Sequence, residues 1–146
     1  MPMRRQGNAP PYARTEMMPS VPRRCPFCSA PAKRILLRHK FALAVRDAFP
    51  ISPGHTLQIP RRHVCSFFET TEEVREALLK FLDAAKKAIE RHYSPDGYNM
   101  GINDRAAAGQ TVPHPHVHLI PQHSGDHPGP RGGVGWVLPS KANYWS

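Results

Sequence analysis

The chain has 146 residues, enough for one globular domain with a real core and too few for two of ordinary size. Lys and Arg number 20 against 11 Asp and Glu, and residues 1–40 hold nine of the basic side chains with Glu16 as their single acid, so the charge excess is an N-terminal arm rather than a property of the whole body. No apolar run approaches the roughly 20 residues needed to cross a bilayer, which argues against a membrane protein, and three cysteines do not make a disulfide framework.

Residues 1–24 include Pro2, Pro10, Pro11, Pro19 and Pro22, which break helices, and read as a flexible basic arm, a solvated leader rather than a nucleic-acid-binding element. Cys25-Pro26-Phe27-Cys28 follows a Pro-rich coil and not a strand, so a redox role is poor; such a pair more often binds metal, in a reducing compartment such as the cytoplasm. Strands are expected at Arg34–His39, Phe41–Arg46 and His55–Pro60, and Ser52-Pro53-Gly54 places His55 at a strand mouth, where a loop can present it to a ligand. Thr70 with Glu73 reads as a capping box, and Val74, Ala77, Leu78, Phe81, Leu82, Ala85, Ala88 and Ile89 recur at helical spacing until Ser94-Pro95-Asp96-Gly97. A fourth strand is expected at Tyr98–Asn103 and a fifth at Thr111–Pro121, before a Gly- and Pro-rich tail with an apolar patch at Gly135-Trp136-Val137-Leu138. Short loops and one long interposed helix indicate an antiparallel α+β sheet over residues 25–146.

The fifth of these segments carries the chemistry. On a strand, His114, His116 and His118 would project from one face, where a core would place Val, Ile or Leu. Adjacent same-face positions lie about 6.6 Å apart and the outer pair about 13 Å, too far for one ion to gather all three rings, so the rings have different jobs. The middle imidazole, His116, is placed to be a nucleophile, because its neutral form is available near pH 7 and can attack phosphorus. His118, Gln110, Thr111, Asn103 and the backbone N–H groups of the Gly109–Thr111 turn are donors suited to a phosphoryl oxygen.

Asn99-Met100-Gly101-Ile102-Asn103, then Ala108-Gly109-Gln110-Thr111-Val112-Pro113-His114-Pro115-His116-Val117-His118-Leu119-Ile120-Pro121, with Asp47 and Pro53-Gly54-His55 upstream, closely resemble the histidine-triad family of nucleotidyl hydrolases and transferases. The resemblance implies a fold of about five antiparallel strands with one long helix and a shorter helical segment. It implies a covalent mechanism in which His116 attacks the α-phosphorus of a nucleotide and water or another acceptor takes the nucleotidyl group. His118 would contact the α-phosphate or the leaving oxygen, and His55, Asn103, Gln110 and Thr111 would line the phosphate pocket. Asp47 would accept from the ribose hydroxyls, with Phe41 and Leu43 as candidates beneath the base. Cys25, Cys28, His63 and His114 would hold one structural zinc that pins the N-terminal segment.

Other implications follow from the same likeness. Relatives pair across the long helix and adjoining strand, so a homodimer is expected. Pro115 is shared with the galactose-1-phosphate uridylyltransferase branch, but His118 stands where that branch resembles a Gln, which favours hydrolysis over sugar transfer. Arg105 occupies a spot where such loops commonly carry Gly. The segment Gly125–Leu138 looks like the tail of bacterial diadenosine-polyphosphate hydrolase relatives, where Arg131 could grip distal phosphates. The substrate expected is a dinucleoside polyphosphate such as diadenosine tetraphosphate, or a nucleoside phosphoramidate. A nucleotide-binding module with little turnover, a nucleotidyltransferase and a catalytic metal centre are the alternatives.

Overall fold

The computed structural model describes residues 25–145, and the expectations for the basic arm lie outside the described residues. The elements are β1 (Ile35–Arg38), β2 (Ala42–Arg46), β3 (Thr56–Pro60), α1 (Glu72–Glu90), β4 (Gly97–Ile102), β5 (Val117–Gln122) and the short α2 (Pro139–Ala142). Single 3-10 turns occupy several of the connections. The strands form one sheet in the order β1-β2-β3-β5-β4, every neighbouring pair antiparallel. This is the α+β architecture that the alternation of short apolar runs and one amphipathic helix implies. Among the described residues no helix is long and apolar enough to cross a membrane.

The two faces of the sheet have different covers. On one, Ala42 and Val117 pack against Val74, Ala77 and Leu78 of α1, while Leu119 meets Ala85 and Ile89 further along the helix. On the other, Leu43, Val45, Leu57 and Ile59 lie beneath Phe27 of the cysteine loop, Ala30 after it and Ile35 at the start of β1. β3 is buried throughout because it runs between both covers. Ile59, Leu78 and Leu119 are at most 1% exposed, and burying such side chains contributes roughly 1.5–3 kcal/mol apiece.

Register carries this second face to the candidate site histidines. Val45 pairs with Leu57, Leu57 with His118, and His118 with Gly101, a row across four strands. His118 therefore stands on the face away from α1. Upstream of it the expected strand fails to form: β5 begins at Val117 and not at Thr111. Pro113 and Pro115 have no N–H to give a ladder, and His114 N–H is spent locally on the Val112 carbonyl at 2.8 Å. His114 and His116 thus leave the ladder and take positions set by their own contacts.

The helix start also differs by one residue from the expected capping box. Thr71, not Thr70, is the N-cap, its hydroxyl accepting from Val74 N–H at 3.3 Å, while Thr70 Oγ1 donates to the Phe67 carbonyl in the preceding turn. Replacing Thr71 with Ala is expected to lower unfolding stability by about 1 kcal/mol, read as a lower urea midpoint with an unchanged slope.

Candidate active site and metal centre

The cysteine pair and two histidines converge at one end of the sheet. Cys28 Sγ lies 3.2 Å from His63 Nδ1 and 3.6 Å from His114 Nδ1, Cys25 Sγ lies 3.6 Å from His114 Nδ1, and the two Nδ1 atoms are 3.1 Å apart. A tetrahedral ion with bonds of about 2.0–2.1 Å to nitrogen and 2.3 Å to sulfur imposes edges of about 3.3 Å and 3.6 Å, so the four donors fit such an ion. His114 Nε2–H donates to the Pro60 carbonyl at 2.8 Å, which leaves the Nδ1 lone pair aimed at the cluster. Burial, with the hydrogen bond and charge of Cys25, pushes the Cys28 thiol up to about 11. Cys25, Cys28, His63 and His114 could hold a metal ion.

His116 is oriented by the same histidine that serves this cluster. Its Nδ1–H donates to the His114 carbonyl at 2.8 Å, so the Nε2 lone pair is free. The ring is 5% exposed and packs against Phe27, with centroids 4.9 Å apart, and His118, 5.1 Å apart. Burial lowers its pKa and so favours the neutral ring, against the opposing bond to the His114 carbonyl and the charge of Asp47.

A second chain of contacts orients His118. Gly54, at φ +88°, turns the loop between β2 and β3; a Cβ there would lie 3.1 Å from Ile89 Cγ2 and 3.2 Å from Tyr93, so only glycine seats this turn on α1. The turn presents His55, whose Nδ1 accepts from Ile51 N–H at 3.3 Å. The Nε2–H of His55 then faces His118 Nδ1 at 2.9 Å and Asp47 Oδ2 at 3.3 Å. With its Nδ1 accepting, neutral His118 carries its proton on Nε2. Burial, then the charges of His116 and His55, pushes His118 down to about 4, and burial also lowers His55 against the pull of Asp47.

These groups border a cavity of about 790 Å³. Asp47, His55, Asn103 and His118 line its polar side, and Phe49, Ile51 and Ile120 supply apolar surface beside them. Val134, Trp136 and Val137 of the C-terminal tail form the opposite wall. His116, its ring centroid 5.1 Å from that of His118, is not part of the lining.

Several expected residues lie elsewhere. Gln110 is 3% exposed and its amide is fully used: Oε1 accepts Arg105 N–H at 2.6 Å, and Nε2 donates to the Cys65 and Val112 carbonyls at 2.8 and 2.9 Å. It braces the loop, where Arg105 sits at φ +69°, instead of facing the cavity. Thr111 is exposed and outside the lining. Phe41, just before β2, packs with the helix-side cluster and Leu43 lies beneath Phe27, so neither borders the cavity. The Arg105 guanidinium reaches Glu69 at 3.8 Å, and that of Arg131 lies over the Trp145 ring at 5.5 Å. Phe27, Phe49, Ile51 and the tail wall were not assigned from sequence; the apolar patch at residues 135–138 was the one available signal.

The HIT domain family matches residues 30–125. The chain belongs to this histidine-triad family. It is 36% identical over 107 residues to the asymmetrical bis(5'-nucleosyl)-tetraphosphatase of Schizosaccharomyces pombe, a match covering 73% of this chain and 59% of that protein. It is 32% identical over 93 residues to the AP-4-A phosphorylase of Mycobacterium tuberculosis, covering 63% of this chain and 48% of the relative. The chain thus spans between about half and three-fifths of these relatives' lengths. Among solved structures, the zinc-bound histidine triad protein of Mycobacterium smegmatis superposes with a TM-score of 0.63 at 35% identity, over 70% of this chain and 78% of that one.

The lowered histidines set a direction for stability. His118 holds its proton less tightly in the folded chain, at about 4, than the ordinary value of 6.5, so between those values the unfolded state binds more protons and stability falls as pH falls. His55 adds to the same slope. The urea midpoint is expected to be lower at pH 4.5 than at pH 7, and His118→Asn to make that decline shallower.

Proposed function

We propose that this histidine-triad protein is a nucleotidyl hydrolase cleaving at the α-phosphate of dinucleoside polyphosphates, with residues 25–146 as its catalytic domain. The observation that carries the reading is the pair of complementary tautomers: His116 offers a lone pair at Nε2, and His118 beside it offers an N–H. Nε2 of His116 attacks the α-phosphorus, a P–N bond forms, and the bond to the bridging oxygen breaks. The leaving polyphosphate departs with the bond's electron pair. The ring becomes cationic, and its Nδ1–H, held by the His114 carbonyl, stabilises that charge. Water then attacks phosphorus, the P–N electrons return to His116, the nucleoside monophosphate leaves, and the water's proton goes to solvent.

His118 Nε2–H donates to the phosphoryl or leaving oxygen as negative charge builds there. A departing polyphosphate is a stable anion that needs such a hydrogen bond and not a proton. Neutral His118 suits it better than the amine of a phosphoramidate, the second substrate class we propose. Asn103 adds a donor, and Asp47, whose Oδ1 accepts from Phe49 N–H at 2.9 Å and whose Oδ2 lies 3.3 Å from His55 Nε2, is the acceptor we assign to the ribose hydroxyls. Gln110 acts here by bracing the loop that leads into the histidine run.

The ion proposed for Cys25, Cys28, His63 and His114 is zinc, which supplies a structural cross-link between the N-terminal segment and the histidine run. Reduced metal-binding thiols fit a cytoplasmic protein. β4 is an edge strand of the sheet, which supports a homodimer formed through it. Metal analysis and sedimentation velocity read these two proposals directly, as one zinc per chain and twice the chain mass.

The second reading is a nucleotide-binding module with little turnover. It is favoured by the cover that Phe27 places over the His116 ring, which is 5% exposed. Incubation with diadenosine tetraphosphate and adenosine phosphoramidate separates the two. Hydrolysis is expected to fall on the order of 10³-fold or more in His116→Ala, with an acid-sensitive nucleotidyl adduct on the wild-type chain alone. Equal turnover by the two proteins would overturn the assignment of His116, and AMP binding without product or adduct would select the module.

A further inference from the structure

We infer that Asp47, His55 and His118 form a second divalent-cation site, open to the cavity, and that an ion of the zinc class bound there competes with nucleotide. The three ligand atoms, Asp47 Oδ2, His55 Nε2 and His118 Nδ1, all lie within 4.8 Å of one another. His55 Nε2 is 2.9 Å from His118 Nδ1 and 3.3 Å from Asp47 Oδ2, close to the edge of about 3.3 Å that bonds of about 2.0–2.2 Å to nitrogen and oxygen impose. Two imidazoles and one carboxylate leave a coordination position facing the cavity, available to water or an anion, and this donor set suits zinc, cobalt or manganese.

The surroundings are partly prepared for an ion. Asp47 Oδ1 accepts from Phe49 N–H, which fixes the carboxylate so that Oδ2 faces the imidazoles. His118 already presents its Nδ1 lone pair, with its proton on Nε2. His55 has to rearrange: ligation through Nε2 moves its proton to Nδ1, and the 3.3 Å bond from Ile51 N–H opens. That lost bond, with three donors in place of four and no thiolate, ranks this site below the Cys25, Cys28, His63 and His114 cluster in affinity. Its occupation would be governed by free metal, while the cysteine site stays filled.

The consequence for the cavity is competition. Asp47 is the acceptor assigned to the ribose, and His118 faces the phosphoryl group; an ion held by both removes one contact at each end of a bound nucleotide. The inference uses the nucleotide pose of the proposed function but is read by binding, not turnover, so it stands or falls apart from hydrolysis.

The test is a titration of protein whose cysteine site is already loaded, by calorimetry with Zn²⁺ and by visible absorption with Co²⁺. One further equivalent is expected, with cobalt bands that lack thiolate charge transfer, and the Ile51 amide resonance should shift as it binds. AMP should weaken this second event, and Asp47→Asn and His118→Asn should each reduce its affinity by about 10-fold or more, while His123→Asn leaves it unchanged. A second equivalent that is absent in the wild-type protein, indifferent to AMP, or unaffected by both substitutions would overturn the proposal.

Discussion

His114 faces three ways, and the candidate site depends on all three. Its Nδ1 points into the cysteine cluster, its Nε2–H is held by the Pro60 carbonyl at the end of β3, and its own carbonyl accepts the Nδ1–H of His116. One residue therefore links a metal-ligand set, the central strand and the tautomer of the neighbouring imidazole. The ring is fully buried, so each of these bonds acts in a medium where an unmet polar group is costly. Pro113 and Pro115 make the arrangement possible by keeping this stretch off the ladder. A regular strand would tie the His114 carbonyl into the sheet and leave His116 to choose its own tautomer.

The cysteine cluster reaches the His116 ring by a second route. Phe27 lies between Cys25 and Cys28 in the chain, and its ring meets both His114 and His116, at centroid distances of 5.7 and 4.9 Å. It also joins the cluster that covers Leu43, Val45, Leu57 and Ile59. The fold of the cysteine loop thus seats an aromatic cover on the sheet face that carries His118. Packing and polarity divide the labour: Phe27 excludes water from the His116 ring, and the Asp47, His55 and His118 relay holds the next ring where the cavity opens.

The resemblance carried by residues 99–121, with Asp47 and His55, was legible because those residue types recur in order, and the five strands and long helix followed from apolar period. Asp47, His55, Asn103 and His118 do meet at one cavity. Gln110 shows where residue identity stops being informative: an amide beside a glycine serves a phosphate or a loop equally well, and three carbonyl and N–H partners brought by the fold commit it to the loop. Phe41 and Leu43 lie off the cavity for a related reason, since Phe41 turns to the helix side just before β2, Leu43 is covered by Phe27, and the tail, distant in sequence, supplies lining instead.

Sequence by itself determined the chemistry available: an alternating histidine run interrupted by proline, a Cys-x-x-Cys pair and a glycine turn before His55, each a local property of a few neighbouring residues. Tertiary structure alone decided which nitrogen of each imidazole carries the proton, because that choice rests on the Pro60 and His114 carbonyls, Ile51 N–H and the neighbouring rings. Those partners come together only when β2, β3 and β5 are laid side by side and the cysteine loop folds over them.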